Sequence, residues 1–279
     1  MAREAIEKLN RFREEAAARD IPSVDVERWL GTARRRATLS PRSNGPVVGR
    51  LGGPLMLPPD VPDPEFPLFA SLDLATLPQD ATNLPLPPDG RLLLFGCFEA
   101  GAWGSECPLG AALYIPAGTT VEERWLDFSD LGDPGSYEDV AELQGALHLR
   151  YDISLPDDDD IIDAAKHPCA AQLREVWAEV GGEGADDLSH TLHIGGYASD
   201  YSGEFDPVTS SARQAEHWTE KGQLPRSAEP TRPEDWVLLA ELHADIPGWE
   251  DAIFYWSISR QDAAARRFDR TYGYVFFCP

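Results

Sequence analysis

Apolar residues first recur at helical spacing at Ile6, Leu9, Phe12 and Ala16, which predicts an amphipathic helix over residues 2–19. Asp20-Ile21-Pro22 ends it, because the residue before a proline avoids the α region. Ser23 caps a second helix running to Trp29, with Gly31 at its exit. Between residues 41 and 90 lie twelve prolines, and continuous helix cannot cross them. Four short apolar runs in and after this stretch read as strands: Leu68–Leu72, Arg91–Phe98, Ala111–Ile115 and Ala146–Tyr151. Helical spacing returns at Leu173, Val176, Trp177 and Val180, in a helix opened by Pro168 and ended by Gly181. A further helix follows Asp206-Pro207 and carries Ala212, Ala215 and Trp218. Trp236–Leu242 and Ala252–Ile258 are two more strands. Ser259 and Asp262 form a capping box for a short helix, and Tyr272–Phe277 is a closing aromatic strand.

Some of these strings occur twice in the same order. Leu51-Gly52-Gly53 is echoed by Ile194-Gly195-Gly196, and Leu68-Phe69-Ala70-Ser71-Leu72 by Leu238-Leu239-Ala240-Glu241-Leu242. Gly90–Phe95 is echoed by Asp251–Trp256. The expected fold class is therefore α+β: two similar antiparallel β-sheet units in one compact body, an internal pseudo-duplication with an N-terminal helical segment. The boundaries expected are 1–40 for the helical segment, 41–155 for the first β-rich half and 156–279 for the second, with 41–279 one integrated domain. A groove between two such halves is a natural ligand site.

Composition narrows the function. The chain has 279 residues, and 42% hydrophobic content suffices for a sizeable core. Its 24 basic and 48 acidic residues give a net charge of −24, which disfavours a general nucleic-acid binder. The charge is uneven: residues 1–50 carry 11 basic and 7 acidic side chains, and the acidic excess lies in the rest. Arg34, Arg35, Arg36, Arg42 and Arg50 form the basic cluster. No apolar run is long enough for a transmembrane helix, and the N-terminus lacks the apolar region of a secretory signal. Cys97, Cys107, Cys169 and Cys278 form no CxxC pair and read as reduced thiols. These features together predict a cytoplasmic protein that engages no membrane.

The ordered set of motifs resembles the YwqG family, a bacterial domain of unknown function. The matching residues are Gly49–Pro54, Leu57-Pro58, Pro67–Leu74 and Leu86–Phe95, then His193–Tyr197, Trp236–Leu242 and Trp249-Glu250-Asp251. Phe254, Ile258, Asp262 and Phe268 complete the set, which covers roughly residues 40 to 279. Where that family usually carries glutamine in its two strand motifs, this chain has Ser71 and Glu241; where it has a WGD turn, this chain has Trp249-Glu250-Asp251. The resemblance implies a two-sheet α+β fold with internal duplication and brings no established activity. Some members are thought to sit near bacterial toxin genes, so it also raises an immunity- or antitoxin-like role.

The residues that could carry chemistry are few. Arg50 beside Gly52-Gly53 offers a cation and backbone N–H groups to an anion, without a P-loop or dinucleotide fingerprint. His190 and His193 are three apart; in a strand they face opposite sides, so a zinc site needs distant ligands that spacing does not identify, and no metal is expected. Asp157–Asp160 fails the calcium-loop pattern. Asp73, Glu241, Glu250 and Asp251 could support acid–base work only if they converged. No GxSxG elbow or catalytic cysteine context exists, so no catalytic residue and no cofactor is assigned. Binding residues expected from motif position are Arg50, Gly52, Gly53, His193, Glu241, Trp249, Glu250 and Asp251. The function expected is a non-catalytic acidic binding protein engaging a basic protein partner. Its alternatives are a small-molecule binder using the groove between the halves, or an enzyme of unrecognised type using the carboxylates.

Overall fold

The structure is a computed structural model, and it describes residues 3–97, 108–126, 143–156, 162–181, 188–199, 206–246 and 249–276. The acidic run Asp157–Asp160, Cys107 and Cys278 lie outside the described residues. Helices α1 (Arg3–Ala18) and α2 (Ser23–Leu30) form where the apolar spacing and the proline break place them. Phe12 and Ala16 are fully buried, whereas Ile6 is exposed. Strands β1 (Arg34–Ser40), β2 (Val47–Leu51), β3 (Leu55–Leu57), β4 (Leu68–Asp73), β5 (Arg91–Gly96), β6 (Gly110–Ile115), β7 (Glu122–Arg124) and β8 (Gly145–Ser154) follow. Then come α3 (Ala170–Gly181), β9 (Thr191–Ile194), α4 (Pro207–Glu220), β10 (Trp236–His243), β11 (Ile253–Ser259), α5 (Arg260–Ala264) and β12 (Tyr272–Phe276). Asp206 caps α4 through the Val208 and Thr209 N–H groups, and Ser259 caps α5 through the Asp262 N–H.

The expected pair of sheets does not form. Among the described residues, ten strands join in the order β1-β8-β2-β4-β5-β6-β12-β11-β10-β9, and β9 pairs back onto β1 to close a barrel. All of these pairings are antiparallel. The α+β two-sheet reading is corrected for a physical reason. Two open sheets would leave four exposed edges, and closure removes them. On one side the basic cluster 34–36 is itself the start of β1, which pairs along its length with β8 and also with β9. On the other, β6 meets β12 at Gly110 and Gly273, where a Cβ on Gly273 would lie 2.7 Å from the Gly110 Cα. Only glycines allow that approach.

Inward-facing residues fill the barrel. Leu39, Leu51, Leu72, Leu94, Leu147, Leu192, Leu239 and Phe254 are buried there. Phe69 packs edge-on against Phe254 and Trp256, and the Trp256 indole N–H donates to the Phe95 carbonyl at 2.8 Å. The space between the halves is thus packed core. Much of the outer wall is covered. The helices α1, α2 and α3 form one apolar cluster with Leu155 at the end of β8. Helix α4 covers Leu238, Ile253 and Tyr255, and β3 with β7 covers Leu93 and Phe95.

Candidate functional site

The repeated strings occupy corresponding places in this barrel. From the β1–β8 pair, one arc runs β2-β4-β5-β6 and the other β9-β10-β11-β12. Arg50 stands opposite Ser71 on β2 and β4; His193 stands opposite Glu241 on β9 and β10. The Gly52 N–H donates to the Phe69 carbonyl, and the Gly195 N–H to the Leu239 carbonyl. The ladder shifts between Leu68 and Ala70 in one arc and between Leu238 and Ala240 in the other. Two polar sites follow, one on each arc, both on the outer wall.

The site on the first arc is open. A groove of about 870 Å³ lies over β8, β2 and β4. Val48, Pro54, Met56 and Leu93 give it apolar walls, and Arg50, Ser71, Asp73, Arg91 and Gln144 line it with polar groups. Gly53 has φ +88, and a Cβ there would collide with the Arg50 guanidinium, so glycine at this position seats that side chain. Arg50 and Arg91 have no carboxylate partner among the described residues, although the chain carries twice as many acids as bases. Asp73 accepts from the Ala75 N–H at 3.1 Å and turns its own loop.

The corresponding site on the second arc is sealed. His193 is 2% exposed, Glu241 0% and His243 8%. Glu241 and His243 are two apart on β10 and so share a face, with His193 beside them on β9. The Glu241 Oε1 lies 2.7 Å from His243 Nε2 and 3.4 Å from His193 Nδ1. Ser199 closes over them, its hydroxyl donating to Oε1 at 2.7 Å and its N–H to Oε2 at 2.8 Å. Burial works to raise the Glu241 pKa, but the two histidine hydrogen bonds overcome it and hold the carboxyl well below the usual range. Burial, reinforced by the Arg36 charge, pushes His193 down to about 4 against the pull of Glu241, so its imidazole is neutral.

A buried ion cluster adjoins this site. Asp152 lies 3.3 Å from the Arg36 guanidinium and 3.2 Å from Lys8 Nζ on α1. Burial alone would raise the Asp152 pKa; Arg36 and Lys8 outweigh it and hold it far below the carboxylate range.

The structure thus brings Arg50, Gly52 and Gly53 together, and separately His193 with Glu241. Trp249, Glu250 and Asp251 lie apart, in the connection between β10 and β11, where Trp249 packs against the barrel core. The four carboxylates do not converge: Asp73 is in the open groove, Glu241 is sealed, and Glu250 and Asp251 are exposed in that connection. Sequence reasoning missed Arg91 and Gln144 in the groove, Ser199 over Glu241, and Arg36 acting on His193. It left His243 unassigned, although the spacing Glu241-x-His243 in a strand was the available signal.

No curated protein matches the chain significantly. No helix among the described residues is long and apolar enough to cross a membrane. The family described as Domain of unknown function (DUF1963) matches residues 49–278, from β2 through the last strand, and the chain belongs to that family.

Proposed function

We propose that this is a binding protein and that its ligand site is the open groove over β2, β4 and β8. One observation carries the reading: corresponding sites on the two arcs are treated differently. The second is closed over by Ser199 and satisfied internally, while the first is left open with two guanidiniums that have no carboxylate partner among the described residues. Arg50 and Arg91 between apolar walls suit a small molecule with an anionic head and an apolar body. A guanidinium recognises carboxylate or phosphate oxygens in a fixed fork geometry. The kinship with YwqG-like proteins is part of this reading and adds no ligand.

The test is titration calorimetry against a panel of aromatic and aliphatic carboxylates and phosphate monoesters. At least one class binds, and Arg50→Ala weakens it about tenfold, the value of one charge-assisted contact of roughly 1.4 kcal/mol. Equal affinity in the wild type, Arg50→Ala and Arg91→Ala removes the groove as the site.

The net charge of −24 favours a second reading, in which the acidic exterior engages a basic protein partner, as an immunity-like role would require. Such a complex forms fast at low salt and weakens steeply as salt rises. An affinity for basic proteins that ignores ionic strength argues against it.

A further inference from the structure

The trio His193, Glu241 and His243 has a use that is independent of the groove. Their ligand atoms, two imidazole nitrogens and one carboxylate oxygen, all lie within 4.8 Å of one another, and all three residues are buried. We propose that these three side chains form a binding site for a divalent transition metal of the zinc class, which clasps β9 to β10.

The donor set selects the class of ion. Two imidazoles with one carboxylate suit zinc or cobalt, whereas calcium and magnesium take oxygen ligands. The strand register delivers the set without loop rearrangement. Glu241 and His243 point from one face of β10, and His193 meets them across the ladder. Oxygen–nitrogen separations of 2.7 and 3.4 Å need only small opening to surround an ion. The carboxylate is already oriented from behind by the Ser199 N–H, as outer partners orient metal ligands. The Ser199 hydroxyl, 2.7 Å from Oε1, stands as the nearest further oxygen. Metal entry replaces these two hydrogen bonds: each coordinating nitrogen must then present its lone pair, which requires the tautomer with the ring proton on the other nitrogen. Arg36 acts on His193 and opposes a cation, and Asp152, 3.3 Å from Arg36 and shared with Lys8, offsets only part of that charge. Entry is from the side of His243, the most exposed of the three. Such burial fits a structural clasp rather than a catalytic ion, which needs an open position.

The experiment uses the tag-free full chain, dialysed against chelator and then titrated with Co²⁺. The expected result is the intense visible absorption of tetrahedral cobalt, saturating at about one ion per chain as a single four-coordinate site requires. Zn²⁺ bleaches that band, and either ion raises the melting temperature. His243→Gln, which keeps a side-chain donor towards Glu241, abolishes the band, and the control His190→Gln retains it. The idea is overturned if excess Co²⁺ produces no band in the folded wild type. It is also overturned if His243→Gln, folded by circular dichroism, still binds the ion as tightly. Should His243→Gln fail to fold, the wild-type cobalt titration alone decides.

Discussion

Glu241 on β10 faces His193 on β9 across the ladder, and the shared carboxylate oxygen lies 2.7 Å from His243 as well as 3.4 Å from His193. A fully buried carboxylate is tolerated here because four donors converge on it. Truncating it orphans all of them. Glu241→Ala is expected to destabilise the metal-free protein by about 3 kcal/mol, the scale for unpairing buried groups bound to a charge. Glu241→Gln, which keeps acceptor capacity, loses less. Urea unfolding measures both, and a Glu241→Ala protein as stable as the wild type would show that the network contributes nothing.

Asp152 ties α1 to the barrel through Lys8 and Arg36. Its pKa is lowered on folding, so the unfolded chain binds more protons below the ordinary aspartate value. Stability from this group is present above about pH 4 and is lost as pH falls towards the folded value. Asp152→Asn should flatten the acid limb of the stability curve below about pH 4. It should also loosen α1, read as faster hydrogen exchange in residues 3–18. An acid limb with unchanged slope in Asp152→Asn contradicts the assignment.

Gly53→Ala tests the Arg50 seat. The backbone cost at φ +88 is about 1–3 kcal/mol, and the new methyl group also displaces the guanidinium. Gly118→Ala supplies the comparison, since it has φ +79 and open space around it. Gly53→Ala is expected to lose groove binding as well as stability, and Gly118→Ala stability alone. Thermal melts with and without the groove ligand separate the two.

Gly273→Ala strikes the β6–β12 seam. Its Cβ would press on the Gly110 backbone, which has no flexible side chain to give way. The expected loss is about 2–4 kcal/mol, with a tendency to aggregate as β6 and β12 become free edges. Size-exclusion chromatography after mild heating reads this out, and a monomer with wild-type stability would argue that the seam tolerates opening.

Helix ends were legible because their signals are local. The Asp20–Pro22 break, Asp206 before Pro207, and Ser259 with Asp262 each act on chain neighbours. The strand β1 was not legible. Arg36–Ser40 does alternate polar and apolar residues, but only Ala37 and Leu39 mark the core face, and the outward Arg36 and Thr38 are buried beneath the outer layer, so the segment reads as a basic cluster rather than as a strand. The His193–Glu241 pairing was equally hidden. It depends on register between β9 and β10, strands far apart in sequence.

The sequence by itself determined the helices, most of the strands, the paired Gly-Gly strings and the acidic charge, since each depends on residues within a turn or a few strand positions of one another. The tertiary structure decided that the strands close into one barrel and that the gap between the halves is core. It also decided that Arg50 opens onto a groove while His193 is sealed against Glu241. These outcomes rest on pairings between distant strands and on where the covering helices fall, and no local spacing encodes either.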